Sequence, residues 1–372
     1  MNIDLFKVSM SPQAAIDAAA VLNSGYIGQG EKVEQFEQQL ESYLKLDKIT
    51  TVNSATSGLH LAFHMLKRAY GDDTEVLTTP LTCTATNWPI LANGLNLKWV
   101  DIDPENLNID LDDLERKLSP KTKIITFVHW GGNPVDMDRV REIVLKCRQL
   151  YGFTPTVVED CAHSFGAKFN NRSIGASGVG VFSFQAIKHL TSVDGGAIAW
   201  ASENLYRNAK LLRWYGIDRE SNRKDFRCEA DVESWGFKFH MNDVNAAIGM
   251  ANLSVIDSVL DAHRSNGRYY NENLDKIDGV TTIPIDKRAD PVYWIYSMKV
   301  ERQEDFMNHM KSKGIVVSRV HERNDKHSCV KEYRSLLPGL DSVIDNMICI
   351  PSGWWVTPEQ RSYIVDSIKE GW

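Results

Sequence analysis

Between Thr50 and Phe184, short runs rich in β-branched and aromatic residues alternate with longer amphipathic segments, and this alternation restricts the chain to an α/β fold with a largely parallel sheet. Thr50–Val52, Glu75–Thr82, Leu97–Ile102, Lys123–His129, Thr154–Glu159 and Val179–Phe184 read as strands, with helices over Ser57–Tyr70 and Met137–Gln149. Upstream, Ser11 before Pro12 supplies a cap for a helix that runs to Asn23 and ends at Gly25. Glu34–Leu46 is amphipathic, with Phe36, Leu40, Tyr43 and Leu44 at helical spacing. In such a sheet, working residues collect at the strand ends and the loops that follow them.

The pattern changes near Asn242. Asp243–Leu274 reads as one or two helices, followed by a strand at Tyr293–Val300, a helix at Gln303–Lys313 and a strand at Ile315–Val320. The expected division is a large domain over 1–255 and a smaller α+β domain over 256–372, an ordinary domain size.

Composition excludes several classes of function. The net charge of −7 argues against nucleic acid or an anionic membrane as the main partner. No run approaches the ~20 apolar residues of a membrane span. The first residues lack a basic region followed by an apolar stretch, so no signal peptide is expected and the protein is predicted to be cytoplasmic. Cys83, Cys147, Cys161, Cys228, Cys329 and Cys349 are scattered without a C-x-x-C pair; they read as reduced thiols, with no metal site expected.

The chemistry concentrates between Val157 and Gly196. Thr156-Val157-Val158-Glu159-Asp160 is a short apolar strand that ends in carboxylates, and Lys188 follows Val179–Phe184 in a small, hydroxyl-rich turn. A lysine there can form a Schiff base, and an aspartate can pair with a protonated pyridine nitrogen, as pyridoxal 5'-phosphate (PLP) chemistry requires. Spacing alone leaves the ordinary readings open. A lysine after a strand is usually a solvated loop residue, and Glu-Asp at a strand end often caps a helix. Gly28-Gln29-Gly30 superficially suggests a dinucleotide loop, but it lacks the third glycine and a preceding strand.

Three blocks carry a resemblance. Glu159-Asp160-Cys161-Ala162-His163-Ser164-Phe165-Gly166-Ala167, then Phe182-Ser183-Phe184-Gln185 to Lys188, then Asp194-Gly195-Gly196-Ala197, resemble the DegT/StrS family of sugar aminotransferases in order and distance. The family pattern is E-D-x-A-[HQ]-x-x-G-A, F-S-F-[HQ]-x-x-K and [ED]-G-G-A. The resemblance implies the type I aminotransferase fold, with a large domain on a mostly parallel mixed sheet and a smaller α+β C-terminal domain.

It also implies residue roles. Lys188 would hold PLP and shuttle protons, Asp160 would pair with the pyridine nitrogen, and His163 would lie near the phenolic oxygen. Ser54, Ala55, Thr56 and Ser183 would bind the phosphate at a helix start. Ala55 replaces a common glycine in Asn53-Ser54-Ala55-Thr56-Ser57-Gly58-Leu59-His60-Leu61-Ala62. Cys83 stands where the family often has an aromatic ring over the cofactor, leaving Trp88 or Trp130 as candidates to compensate. Lys238 replaces an asparagine that reaches the phosphate of the neighbouring subunit, which implies a homodimer with shared sites. His129–Asp138 matches a motif expected to shape the cofactor wall and start a helix. Tyr26 and Ile27, Trp214 and Tyr215 within Arg213–Gly216, and His321 and His327 are the candidate substrate residues.

The implied activity is transfer of an amino group from an amino acid, with L-glutamate expected, to a keto group of a nucleotide-linked deoxysugar, for amino-sugar biosynthesis. A related alternative is a PLP-dependent keto-deoxysugar dehydratase, in which histidine replaces the lysine; Lys188 is present, followed by His189. A different class is a PLP-binding regulatory protein without turnover.

Overall fold

A computed structural model of the protein describes residues 2–219 and 231–372, so Cys228 lies outside the described residues. The strands β1 (Ile49–Val52), β2 (Glu75–Thr78), β3 (Asn96–Trp99), β4 (Thr122–Val128) and β5 (Thr156–Asp160) are followed by the short pair β6 (Lys168–Phe169) and β7 (Arg172–Ser173). Next come β8 (Val179–Ser183), β9 (Gly196–Ala199), β10 (Val280–Thr282), β11 (Ala289–Asp290), β12 (Tyr296–Val300) and β13 (Met347–Ile350). Seven of them form one sheet in the order β1-β9-β8-β5-β4-β2-β3. It is parallel from β3 through β2, β4 and β5 to β8, and antiparallel where β9 meets β8 and β1. The mostly parallel mixed sheet is therefore as expected.

The helices are α1 (Pro12–Ser24), α2 (Glu31–Leu44), α3 (Ala55–Tyr70), α4 (Thr84–Ala92), α5 (Leu111–Arg116), α6 (Met137–Tyr151), α7 (Glu203–Leu212), α8 (Asp243–Leu253), α9 (Ile256–Leu274), α10 (Gln303–Ser312), α11 (Pro338–Val343) and α12 (Pro358–Lys369). Side chains alternate across a strand, so adjacent apolar residues enter opposite layers. Val158, Val181 and Ile124 pack with Leu59, Ala62 and Phe63 of α3, whereas Val157, Phe182 and Ile125 pack with Phe36 and Leu40 of α2 and Val140 and Ile143 of α6. Helices thus cover both faces of the sheet, which explains why its central strands are continuously apolar.

A second, antiparallel sheet, β10-β12-β13, shares a separate core with Tyr270 of α9, Phe306 of α10 and Ile364 of α12. Ile3 bridges Ile315 and is buried in this core, so the smaller unit recruits the chain's first residues. The expected division at 255/256 falls in the link between α8 and α9.

Several local expectations are corrected. Ile315–Val320 is not a strand: Ile315 and Ser318 make only single bridges, and Val320 adopts φ 67°, which breaks an extended run. β2 stops at Thr78, shortly before Pro80, which has no N–H to give a ladder. Strands β9 and β13 and helices α4, α7 and α12 were not foreseen. For α12 a signal was present, since Thr357 and Gln360 form a reciprocal capping box around Pro358.

Candidate active site

Alternation along β5 separates its two carboxylates. Glu159 turns into the protein and is fully used: it accepts from the backbone N–H groups of Gly175 (2.9 Å) and Ser177 (2.8 Å). His129 lies 3.2 Å from it. Because His129 Nδ1 accepts from the Val135 N–H, its Nε2 carries the proton and donates to Glu159. His129, Glu159 and Cys161 bring potential ligand atoms within 4.8 Å, but these hydrogen bonds already occupy the carboxylate and the imidazole.

Asp160 turns the other way, at the carboxyl end of β5. One oxygen accepts from Thr86 Oγ1 at 2.6 Å and the other from the Ala162 N–H at 3.0 Å. Burial pushes its carboxyl above the ordinary value, although these donors and the Lys188 charge pull it down. Thr86 is in turn 2.7 Å from Thr82 Oγ1, so a hydroxyl chain leads into the carboxylate. Sequence reasoning missed Thr86, although it lies three residues after Cys83.

Lys188 sits in the turn after β8, and its backbone N–H is bonded to the Gln185 carbonyl. The residue as a whole is half-buried, but its amine end is enclosed, and desolvation lowers its pKa from the ordinary value to about 8 against the opposing pull of Asp160 and Cys83. The amine lies 3.6 Å from the centroid of the Trp294 ring. His163 is stacked on Trp294, with ring centroids 3.9 Å apart and planes 13° apart, and His321 lies parallel to His163 at 5.5 Å. Burial holds His163 well below the ordinary imidazole range and brings His321 to about 4, so both are neutral near pH 7. His163 Nδ1 and His321 Nε2 are buried without a partner among the described residues. Asn324 anchors the His321 loop by donating to the Thr82 carbonyl and accepting from Asn87.

A third set of donors lies beside this turn. β8 ends at Ser183, which is aligned with Gly196, and Gly196 is aligned with Val52 at the end of β1. A Cβ on Gly196 would come within 2.6 Å of the Ala55 amide nitrogen, so only glycine lets this strand approach the start of α3. Ser54 caps that helix through the Ser57 N–H, and Thr56 is exposed. Ala55 is the first helical residue, which explains why alanine can replace the expected glycine without strain.

Lys188, Asp160, Cys83, His163 and His321 therefore meet, with Ser54, Ala55, Thr56 and Ser183 at the adjoining sheet end. Tyr26, Ile27, Trp214, Tyr215 and Lys238 form a separate group. Trp214 bridges Lys238, Tyr215 N–H bonds the Phe237 carbonyl, and Arg219 lies over Trp214 at 4.3 Å while donating to the Gln29 carbonyl. Tyr26 and Ile27 project outward near this group, at 84% and 50% exposure. Asn53 joins the two groups, since it donates to the Lys238 carbonyl. His327 packs edge-on against Trp88 at 5.7 Å.

One expectation changes. Arg213 is not a substrate wall: it is 2% exposed and paired with Glu37, and it also donates to the Thr51 carbonyl at 2.7 Å. It locks α2 and α7 to β1. The ring beside the lysine amine is one that the sequence did not single out. Trp130 lies edge-on to His163 and His321 and donates to Ser297, whereas the ring against the lysine is Trp294. Trp294 is 106 residues from Lys188, and nothing in its local sequence signalled the contact.

A desolvated lysine facing a buried strand-end carboxylate, next to a helix start open to an anion, on a mostly parallel mixed sheet with a small C-terminal unit, defines a PLP-dependent enzyme of the type I aminotransferase fold. The chain belongs to the DegT/DnrJ/EryC1/StrS aminotransferase family, whose pattern matches residues 10–369. It is similar to AtS13 from Actinomadura melliaura, with 46% identity over 100% of this chain and 99% of that one and a TM-score of 0.97. The sugar aminotransferase CalS13 from Micromonospora echinospora is 44% identical over 100% of both chains, with a TM-score of 0.96. The uncharacterized protein MJ1066 of Methanocaldococcus jannaschii is 30% identical over 300 residues, 79% of this chain and 75% of its own length. The protein is a PLP-dependent aminotransferase. Among the described residues, no helix is long and apolar enough to cross a membrane.

Proposed function

We propose that this enzyme transfers the amino group of L-glutamate to a keto group of a nucleotide-linked deoxysugar, in the cytoplasm, for amino-sugar biosynthesis. The observation that carries this reading is Lys188 itself, an amine whose pKa is lowered to about 8 beside Asp160. The likeness to CalS13, a sugar aminotransferase, supports a sugar as the acceptor.

The residues fit the cofactor. Asp160 is buried and, among the described residues, has no cation in hydrogen-bond contact; a protonated ring nitrogen would supply one. The unpartnered His163 Nδ1 would meet the phenolic oxygen, and Ser54, Ala55, Thr56 and Ser183 would hold the phosphate. When bound, PLP supplies the electron sink and carries the amino group. Lys188 in its neutral form takes a proton from the substrate carbon and returns it. Asp160 keeps its negative charge against the ring nitrogen, and neutral His163 and His321 avoid repelling the ammonium of Lys188. Tyr26, Ile27, Trp214, Tyr215, His321 and His327 are assigned to the substrate.

The dehydratase reading is disfavoured by Lys188, and a non-catalytic role by the match to an aminotransferase family over residues 10–369. The test is direct. Adding L-glutamate to the loaded enzyme should shift the visible absorption of the bound cofactor and release 2-oxoglutarate, and keto-sugar nucleotides should reverse the shift. An unchanged spectrum with every amino acid tried would overturn the reading.

We further assign Lys238 to the partner's phosphate site in a homodimer. Support comes from the exposed apolar residues Val8, Met10, Ile16, Leu22, Tyr26 and Ile27, which a second subunit would cover. Pairing Lys188→Ala chains with Lys238→Ala chains leaves one hybrid site with both native residues. Partial recovery of activity after subunit exchange is expected. Exchange without recovery would return Lys238 to its own chain's site, where its carbonyl flanks Asn53.

A further inference from the structure

We propose that Trp294 is the positioning residue for Lys188: its indole holds the amine in place and screens it from water. The inference rests on the reading of Lys188 as the working amine, and it concerns contacts that nothing in the sequence around the lysine foretells.

Trp294 is buried and fixed on every side. Its Nε1 donates to the carbonyl of Ile187, the residue before the lysine, at 3.0 Å. Phe6 stacks on it at 4.9 Å and His163 at 3.9 Å. The Val292–Ile295 segment that carries it is clamped to the large unit. The Val292 N–H bonds the Gly132 carbonyl at 3.1 Å, and a Cβ on Gly132 would approach the His163 carbonyl to 2.7 Å and Val292 Cγ2 to 2.9 Å. Two imidazoles complete the clamp. His189, next to the lysine, faces the Val292 carbonyl at 3.1 Å, and His263 of α9 faces the Tyr293 carbonyl at 2.9 Å. A carbonyl can only accept, so both nitrogens carry hydrogen. Burial keeps both rings neutral near pH 7, His263 at about 4 and His189 well below its ordinary value, so the bonds do not depend on protonation there. Tyr293 adopts φ 45°, a strained angle for a tyrosine, and these contacts hold it there.

Two effects of the indole on Lys188 oppose each other. Its ring face favours the ammonium by about 0.5–2 kcal/mol. Its bulk excludes water, which disfavours the ammonium. Burial is the leading cause of the shift from 10.5 to about 8, and the indole 3.6 Å away is part of what buries the amine. The groups facing the amine are Asp160 from β5 and Cys83 before α4, which favour its charge, and His163, His321 and His189, which are neutral.

The test reads Lys188 in the full chain freed of cofactor, by the pH dependence of its labelling with an amine-reactive reagent and peptide mass spectrometry. The wild-type midpoint should lie near 8. Trp294→Ala should raise it by about one unit or more as water reaches the amine, and Trp294→Phe, which keeps a ring, should restore it to within a few tenths. An unchanged or lowered midpoint in the alanine variant, or equal rises in both variants, overturns the proposal. Should the alanine variant not fold, the near-UV absorption of the wild type decides. A step near pH 8 that is absent from Lys188→Ala supports the contact, and no difference between the two titrations overturns it. Labelling does not depend on the amino donor or the sugar, so failure of amine transfer and failure of this proposal are separate results.

Discussion

Lys188→Ala should abolish amine transfer, with kcat/KM down by at least about 10⁴-fold, the upper end of what one positioned proton-transfer group contributes. Lys188 is the amine whose charge bears on Asp160, His163 and His321, and the alanine variant leaves that locus without one. Its amine is already tuned for the task. With a pKa of about 8, the neutral form grows through the range from pH 7 to 9, whereas an ordinary lysine would remain almost wholly charged there. Capture of added cofactor by the wild type should accordingly rise with pH over that interval and level off above it. Visible absorbance of the variant mixed with PLP should match that of free cofactor, while its far-UV circular dichroism stays native. Transfer at the wild-type rate in Lys188→Ala would remove Lys188 from the reaction.

The architecture was legible because it depends on local pattern. Apolar runs with β-branched residues and amphipathic helices repeat strongly enough from Thr50 to Phe184 to fix an α/β sheet, and Ser11-Pro12 to Gly25 marked α1 through cap chemistry alone. Elements whose local pattern was weak were missed. β9 is a four-residue strand that begins at a glycine, and α4 contains Pro89 and two threonines, poor helix formers stabilised here by packing. In the site, residues embedded in motifs could be read: Asp160, His163 and Lys188 lie together in the structure. What could not be read were contacts made across long stretches of chain. Arg213 had the charge of a ligand-binding residue, but its partner Glu37 lies on a helix 176 residues away, so its burial was invisible in one dimension. Trp294 was hidden for the same reason. The segment that carries it is positioned by Gly132, His189 and His263, none of which neighbours it in sequence.

Asp160→Asn is the second large effect expected, a loss of roughly 10²–10³-fold in kcat, comparable to removal of one preorganised electrostatic contact in a site shielded from water. The amide is nearly the same size and can keep its place, since its oxygen can still accept from Thr86 or from the Ala162 N–H. What it cannot do is carry charge. Asp160 is buried, and its pKa is already pushed upward because two donors and a nearby lysine do not fully repay the lost hydration. A cationic ring nitrogen placed against it would stabilise the carboxylate, and by reciprocity the carboxylate would stabilise the ring's proton. Asparagine removes that coupling and leaves its NH₂ group in the position of a second donor facing an N–H. The cofactor should therefore still bind through Lys188 and the phosphate donors, and visible absorbance should report near-full loading. The slow step should become proton removal from the substrate carbon, seen as a larger deuterium isotope effect with glutamate labelled at that carbon. Near-normal turnover in a fully loaded Asp160→Asn enzyme would reduce Asp160 to a cap for the turn at Ala162, and the electrostatic role would have to be assigned elsewhere.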